Sequence, residues 1–272
     1  MIHTTFPIYN ADAYALRNRD YFSSEPAKLL CPNNMLLPFQ VAVGTTFSAL
    51  THITLKNAYT GATVVELLPK IDVANDIKVN VFASPAKAYV KYLGTQAFSG
   101  SYTIANGDYY IVINTGVGIY YSESFRVCSD LLTKGKFVKI QFYNAKDVDD
   151  IEPICYQDSW KQVIYLDTDI KASGHQTVEE VEEKDGYELP MSKSVYEIKR
   201  MRVTLSESQY RALIRMPLHS SITIWDRNNV SMTALRVKIT DPAWSGGGAF
   251  CRVLIEFMTE SATVNNTVLN MS

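Results

Sequence analysis

The residues able to do chemistry in this chain are few, and their spacing does not concentrate them. Four acids crowd into DVDDIEP, namely Asp147, Asp149, Asp150 and Glu152. A calcium ion would ask for six to eight oxygens in a defined loop, and the run matches no EF-hand spacing. A solvated turn is predicted there, and no metal site is assigned. His3, His52, His175 and His219 are scattered without ligand spacing, which predicts surface or capping roles. No GxSxG, HExxH, Walker A or strand-flanked GxGxxG occurs, so the common hydrolase, zinc and nucleotide signatures are missing and no cofactor is expected. Two carboxylates meeting across a sheet could still cleave a glycosidic bond, a geometry that leaves no mark in a linear sequence. Trp160, Trp225 and Trp244 could form a sugar-stacking platform or serve as core and rim aromatics.

The densest charge is Glu179, Glu180, Glu182, Glu183 and Asp185, lying between Gly174 and Gly186. Such a run cannot be buried unpaired, so it must project as an exposed loop or hairpin tip, or dock against a neighbouring subunit. Cys31, Cys128, Cys155 and Cys251 are far apart and form no CxxC pair, which predicts free thiols in a reducing compartment.

The bulk composition narrows the classes further. The 272 residues leave room for two cores, and 47% hydrophobic content with 20% charged residues describes an ordinary globular chain. A net charge of −2 gives no overall drive toward nucleic acid or an anionic membrane. Seventeen tyrosines suit half-buried strands and protein interfaces, where a large ring and one polar tip are both useful. The opening MIHTTFPIYNADAY has neither a basic n-region nor an apolar h-region, so no secretory signal is expected. The uncharged interval between Lys28 and Lys56 is broken by Pro32, Pro38 and Gly44, which argues against a membrane span. No repeat of 20 to 50 residues is present, so solenoids and propellers are not expected.

The elements that must carry these residues are mostly strands. In DYYIVINTGVGIYYSESFRV, from Asp108 to Val127, Tyr109, Ile111 and Ile113 share one face of a central strand. A turn over Asn114 to Gly118 returns the chain, and the second limb is expected to set Tyr121, Phe125 and Val127 against Ser122, Ser124 and Arg126. Before it, Leu37, Phe39, Val41 and Val43, then Ile53 and Leu55, then Ile77, Val79 and Val81, then Ala88, Val90 and Tyr92 give further short strands. After it come Val138, Ile140 and Phe142, and a strand from Val163 to Ile170 that pairs with one from Val195 to Leu205. Ser206 with Gln209 makes a capping box for a helix over 206–216, with Tyr210, Leu213 and Ile214 as its apolar stripe and Pro217 as its stop. Ile222 and Ile224, then Leu235, Val237 and Ile239, then Val253, Ile255 and Phe257 supply three last strands, and the tail after Glu260 is frayed or extended. The expected fold is mainly β: two β-sandwich-like domains, 1–130 and 131–272. The second carries one short helix and a projecting loop or hairpin, the acidic excursion 171–194.

Three segments carry a family resemblance: YYSESFRV at 120–127, FVKIQFYN at 137–144, and the tract from Tyr196 to Val237 with MPLHSSITIWD. They resemble the two-domain β-rich virion proteins of tailed phages and prophages of Bacteroides and relatives, including the crAss-like phages. This chain has Phe142 and Tyr143 where that pattern has paired tryptophans. The resemblance implies an immunoglobulin-like first domain and a structural role in the virion, in the tail, neck or capsid, with assembly in the bacterial host cytoplasm. The expected function is non-enzymatic: a tail, neck or collar component that forms a symmetric ring and connects tail or fibre parts. Its expected partners are copies of itself and other virion proteins, such as tail, portal, collar or fibre proteins, with no nucleic acid and no membrane. Glu179, Glu180, Glu182, Glu183 and Asp185 in the excursion, and Tyr9 and Tyr14 in an N-terminal arm, are the expected contact residues. The alternatives are a carbohydrate-binding adhesin or receptor-binding module, a capsid decoration protein, and a glycan-cleaving enzyme.

Overall fold

Period-two alternation runs through most of the chain, and the computed structural model resolves it into nineteen strands and one α-helix among the described residues. Those residues are 5–10, 28–43, 52–70, 77–83, 88–94, 102–115, 118–129, 137–144, 161–184, 187–240, 242–245 and 250–265. The fold is mainly β and sandwich-like, built from several sheets.

The first half contains β1 (Ile8–Asn10), β2 (Leu29–Pro32), β3 (Phe39–Val43), β4 (His52–Asn57), β5 (Thr63–Glu66), β6 (Ile77–Ala83), β7 (Ala88–Gly94), β8 (Gly107–Asn114), β9 (Ile119–Ser122) and β10 (Phe125–Cys128). As its two apolar-rich faces require, β8 is central: β4 pairs along one edge, and β9 and β10 share the other. β1 extends this sheet from β9, β5 from β4, and β2 from β10 in the one parallel pairing among the described strands. β3, β7 and β6 form a separate three-stranded sheet. Tyr109, Ile111 and Ile113 point into the core with Ile53, Leu55, Phe125 and Val127. Phe6 stacks edge-on to Phe125 at 5.3 Å between ring centroids.

The returning limb differs from the simple alternation. It is two strands, and the buried residues are Ser122, then Phe125 and Val127, with Tyr121 only half-buried. The parity changes across Glu123 and Ser124 because Ser122 turns inward, accepting a hydrogen bond from Ile111 N (2.9 Å) and donating one to Glu123 O (2.8 Å). A hydroxyl with both capacities used is tolerated in a core where an unpaired one is not.

The second half contains β11 (Val138–Tyr143), β12 (Gln162–Leu166), β13 (Lys171–Lys184), β14 (Tyr187–Ser206), α1 (Glu207–Leu213), β15 (Ser221–Trp225), β16 (Ser231–Thr233), β17 (Arg236–Ile239), β18 (Ala243–Ser245) and β19 (Phe250–Asn265). One sheet runs β12-β11-β15-β16, and the other β13-β14-β19-β17 with β18 also on β19. Their facing sides bury Val138, Ile140, Phe142, Met201, Val203, Leu205, Ile255 and Phe257. Removing one such side chain from water contributes roughly 1.5–3 kcal/mol.

Two expectations are corrected here. The strand opening at Val163 stops at Leu166 and pairs with β11, while 195–205 pairs with β13 and β19. The chain turns where Thr168 N reaches Leu166 O (3.0 Å), and Thr168 Oγ1 pins the turn to Arg202 O (2.6 Å). The helix starts at its capping box, with Gln209 N donating to Ser206 Oγ and Ser206 N donating to Gln209 Oε1, but ends at Leu213. Pro217 lies in a following 3-10 turn (Met216–Leu218), and the residue before a proline resists the α conformation. Ile214 consequently leaves the expected stripe and is 46% exposed.

Candidate interaction surfaces

The acidic excursion is a strand. KASGHQTVEEVEEK has Thr177, Val178 and Val181 as its β-formers, and its acids are weak ones; pairing with β14 holds it extended from Lys171↔Arg200 to Lys184↔Tyr187. Asp185-Gly186 stands at the closure, the dipeptide that favours a two-residue hairpin. The side chains of β13 are exposed on both faces wherever they are described, Gly174 being half-buried, and Val181 is 48% exposed. Its outer edge has no partner strand among the described residues.

Twenty residues make β14 about 65 Å long at roughly 3.3 Å each, against an ordinary strand of about five or six residues. Its C-terminal part covers the second core; its N-terminal part leaves that core as a ribbon flanked by β13 and, from Ser192 onward, by β19. Cross-strand contacts along it are polar, Lys193 to Glu179 (3.9 Å) and Ser192 Oγ donating to Glu180 (3.0 Å), and within β14 Lys199 lies 3.1 Å from Glu197. Exposed pairs of this kind contribute about 1 kcal/mol or less each.

The outward face of the same sheet carries a different sign. Met201, Val203 and Leu205 point inward, so Arg200, Arg202 and Thr204 point outward beside Arg252, Leu254 and Glu256 of β19 and Arg236 and Lys238 of β17. Arg200 is held by Glu256 (2.6 Å), which also stands directly across from Lys238. Arg202 and Arg252 sit diagonally across two paired strands and line a cleft of about 600 Å³ with Lys28, Leu30, Tyr165 and Asp167, the acid lying 3.6 Å from Arg227.

Lys28 of that lining also belongs to a cluster of buried charge around Asp108. Asn57 Oδ1 accepts from Tyr59 N (3.0 Å) and Thr60 N (2.9 Å), and Gly61, at φ +69°, closes the turn. The turn brings Tyr59 Oη within 2.5 Å of Asp108, where Lys28 Nζ (2.7 Å) and the Arg126 fork (2.9 and 3.1 Å) also donate. Burial opposes the Asp108 charge most strongly, yet the bonds from Arg126, Lys28 and Tyr59 outweigh it and hold the carboxyl well below the usual range. Burial likewise opposes the Lys28 charge, and its bonds to Asp108 and Tyr59 overcome it, raising the ammonium. An acid this firmly ionised neither gives nor takes a proton near neutrality, so the cluster is a clamp joining β2, β8 and β10.

The other expected residues are dispersed. Glu179, Glu180 and Glu183 are exposed on β13, where Glu182 pairs with Leu189; Asp185 and Tyr14 lie outside the described residues. Tyr9 is 2% exposed, its hydroxyl donating to Glu123 (2.8 Å), whose other oxygen accepts from Ser208 of α1 (2.7 Å). Expected as a contact with a neighbour, Tyr9 is instead buried within its own chain, on the face of β1 opposite the core residue Ile8 and bonded to Glu123. The acidic turn 147–152, His3, Cys155 and Trp160 lie outside the described residues. His219 is buried, its Nδ1 2.9 Å from Arg215 O. Burial pushes the Cys31 thiol up to about 12 and that of Cys251 to about 11, and both are free. Trp225 and Trp244 lie on different sheets, under Lys139 and against Tyr210 respectively. Among the described residues no group of His, Cys, Asp and Glu could hold a metal, and no helix is long and apolar enough to cross a membrane.

Arg202, Arg252, Arg236 and Lys238 are the residues that sequence reading missed. Their alternation is visible strand by strand, but only the pairing of β14, β19 and β17 gathers them. Against known proteins, no family model matches the chain and no curated protein matches it.

Proposed function

We propose that this chain is a non-enzymatic structural protein of a virion, which works through surfaces shared with copies of itself and with neighbouring proteins. One observation carries the reading: β13, the outer strand of the ribbon, is exposed on both faces wherever its side chains are described, and its long outer edge is unpaired among the described residues. A ribbon of two or three strands without a covering layer is marginal in water, and a bare edge invites pairing. Such an element gains its cover from another molecule. We read the two cores as two domains, 1–130 and 131–272, that meet at Tyr165 of β12, a residue packed into the first core.

The resemblance of 120–127, 137–144 and 196–237 to virion proteins of Bacteroides phages supports a tail, neck or collar part that forms a symmetric ring and connects tail or fibre components. Assembly would take place in the host cytoplasm, and a capsid-decorating position uses the same surfaces. The test is cryo-electron microscopy of the purified full chain. Rings or regular multimers are expected; isolated single copies that bind a defined glycan on an array would replace this reading with that of an adhesin.

A further inference from the structure

Among the described residues, cations outnumber acids on the outward face of the second sheet. Arg202, Arg252, Arg236 and Lys238 share that face, where Glu256, the acid across the strands, is already taken by Arg200. Arg202 and Arg252 are exposed and near each other, so each raises the electrostatic cost of its neighbour unless an anion comes between them. The opposite charge lies at the other end of the same strand. From 179 to 188 the sequence holds six acidic residues and one lysine, and Glu179, Glu180 and Glu183 are exposed there.

We propose that the acidic end of the ribbon of one copy seats on the basic sheet face of a second copy, at the cleft between Arg202 and Arg252. The geometry excludes the same chain as donor. Glu179 pairs with Lys193 and Glu183 with Glu188, so along β14 the acids stand about 30 to 50 Å from Arg202, at roughly 3.3 Å per residue. A continuous strand paired on both sides does not fold back over that span. A second copy brings the matching charge in a preformed shape, and the cleft of about 600 Å³ admits side chains from a ribbon tip. The contact joins two different surfaces, so copies either exchange ribbons reciprocally in a dimer or run head to tail into a ring. It rests on the assembly reading and deepens it by naming both halves of the contact.

The experiment uses the full chain and measures mass in solution by light scattering after size exclusion. One variant reverses the tip, with Glu179→Lys, Glu180→Lys and Glu183→Lys; the other reverses the face, with Arg202→Glu and Arg252→Glu. All five positions are exposed, and a thermal melt of each variant checks the fold. Each reversal alone is expected to weaken association by tenfold or more, on the order expected for like charges brought together at an interface. Mixing the two variants is expected to restore assembly, because each reversed surface then meets its complement; damage to folding would not be repaired this way. If the wild-type chain assembles and neither reversal changes its mass, or if the mixed variants stay apart, this contact is overturned while the assembly reading stands. If the face reversal abolishes binding of a single-stranded oligodeoxynucleotide and leaves assembly intact, the face belongs to nucleic acid and the proposal fails. A wild-type chain that is monomeric at every concentration overturns both.

Discussion

Asp108 and the Arg202–Arg252 pair are all charged, and the chain treats them in opposite ways. Asp108 is 7% exposed and receives hydrogen bonds from Lys28, Tyr59 and Arg126, brought together from separate parts of the first sheet. The two arginines stand exposed on paired strands, in a cleft whose acid among the described residues, Asp167, lies 3.6 Å from Arg227. Inside, an uncancelled charge costs several kcal/mol, so sequence and turn geometry cancel it; outside, water lowers that cost and the charge remains available to a partner.

Substitutions can break or sharpen this contrast. The largest effect is expected at the clamp: Asp108→Ala strands Lys28 and Arg126 and should cost about 3–5 kcal/mol, read from the urea midpoint at constant m. Its pH dependence has a definite sign. The folded carboxyl binds a proton less readily than the unfolded one, whose pKa is about 3.9, so the unfolded chain takes up more protons in acid. The stabilisation is therefore full above about pH 4 and is lost as pH falls toward the folded value; Asp108→Asn should flatten that acid limb of the stability profile.

Next comes the inward side of β19. Ile255→Ala removes a side chain with no exposure and should cost about 2–5 kcal/mol in the same measurement. A smaller loss, about 1 kcal/mol, is expected for Ser206→Ala, which opens the capping box, and a thermal melt reads it. The smallest belongs to Arg252→Ala, only three positions from Ile255: within about 0.5 kcal/mol on the stability of the single chain, while association weakens. A large loss of single-chain stability at Arg252 would erase the contrast between the two sides of the strand.

Much of the fold could be read from local pattern. Tyr109, Ile111 and Ile113, then Met201, Val203 and Leu205, then Val253, Ile255 and Phe257 announce their buried faces by alternation alone, and Ser206 with Gln209 announces the helix start. Pairing is another matter, since it depends on residues far apart in sequence. Nothing near Val163 tells that its strand joins β11, and the turn that decides this is tied down by the Arg202 carbonyl, 34 residues on. The acidic run reads as an exposed loop or a projecting hairpin, and the pairing of β13 with β14 makes it the hairpin; its charges hide the strand period that would have decided between the two. The basic face lies beyond any local reading: Arg202, Arg252, Arg236 and Lys238 come from three strands, each of which shows only an ordinary polar side.

The central claim is that the chain acts by assembling, and the mass of the intact wild-type species in solution tests it most directly. The account predicts a species that is a whole multiple of 30.6 kDa and that dissociates as salt is raised. A particle of 30.6 kDa at every concentration, indifferent to salt, would contradict it.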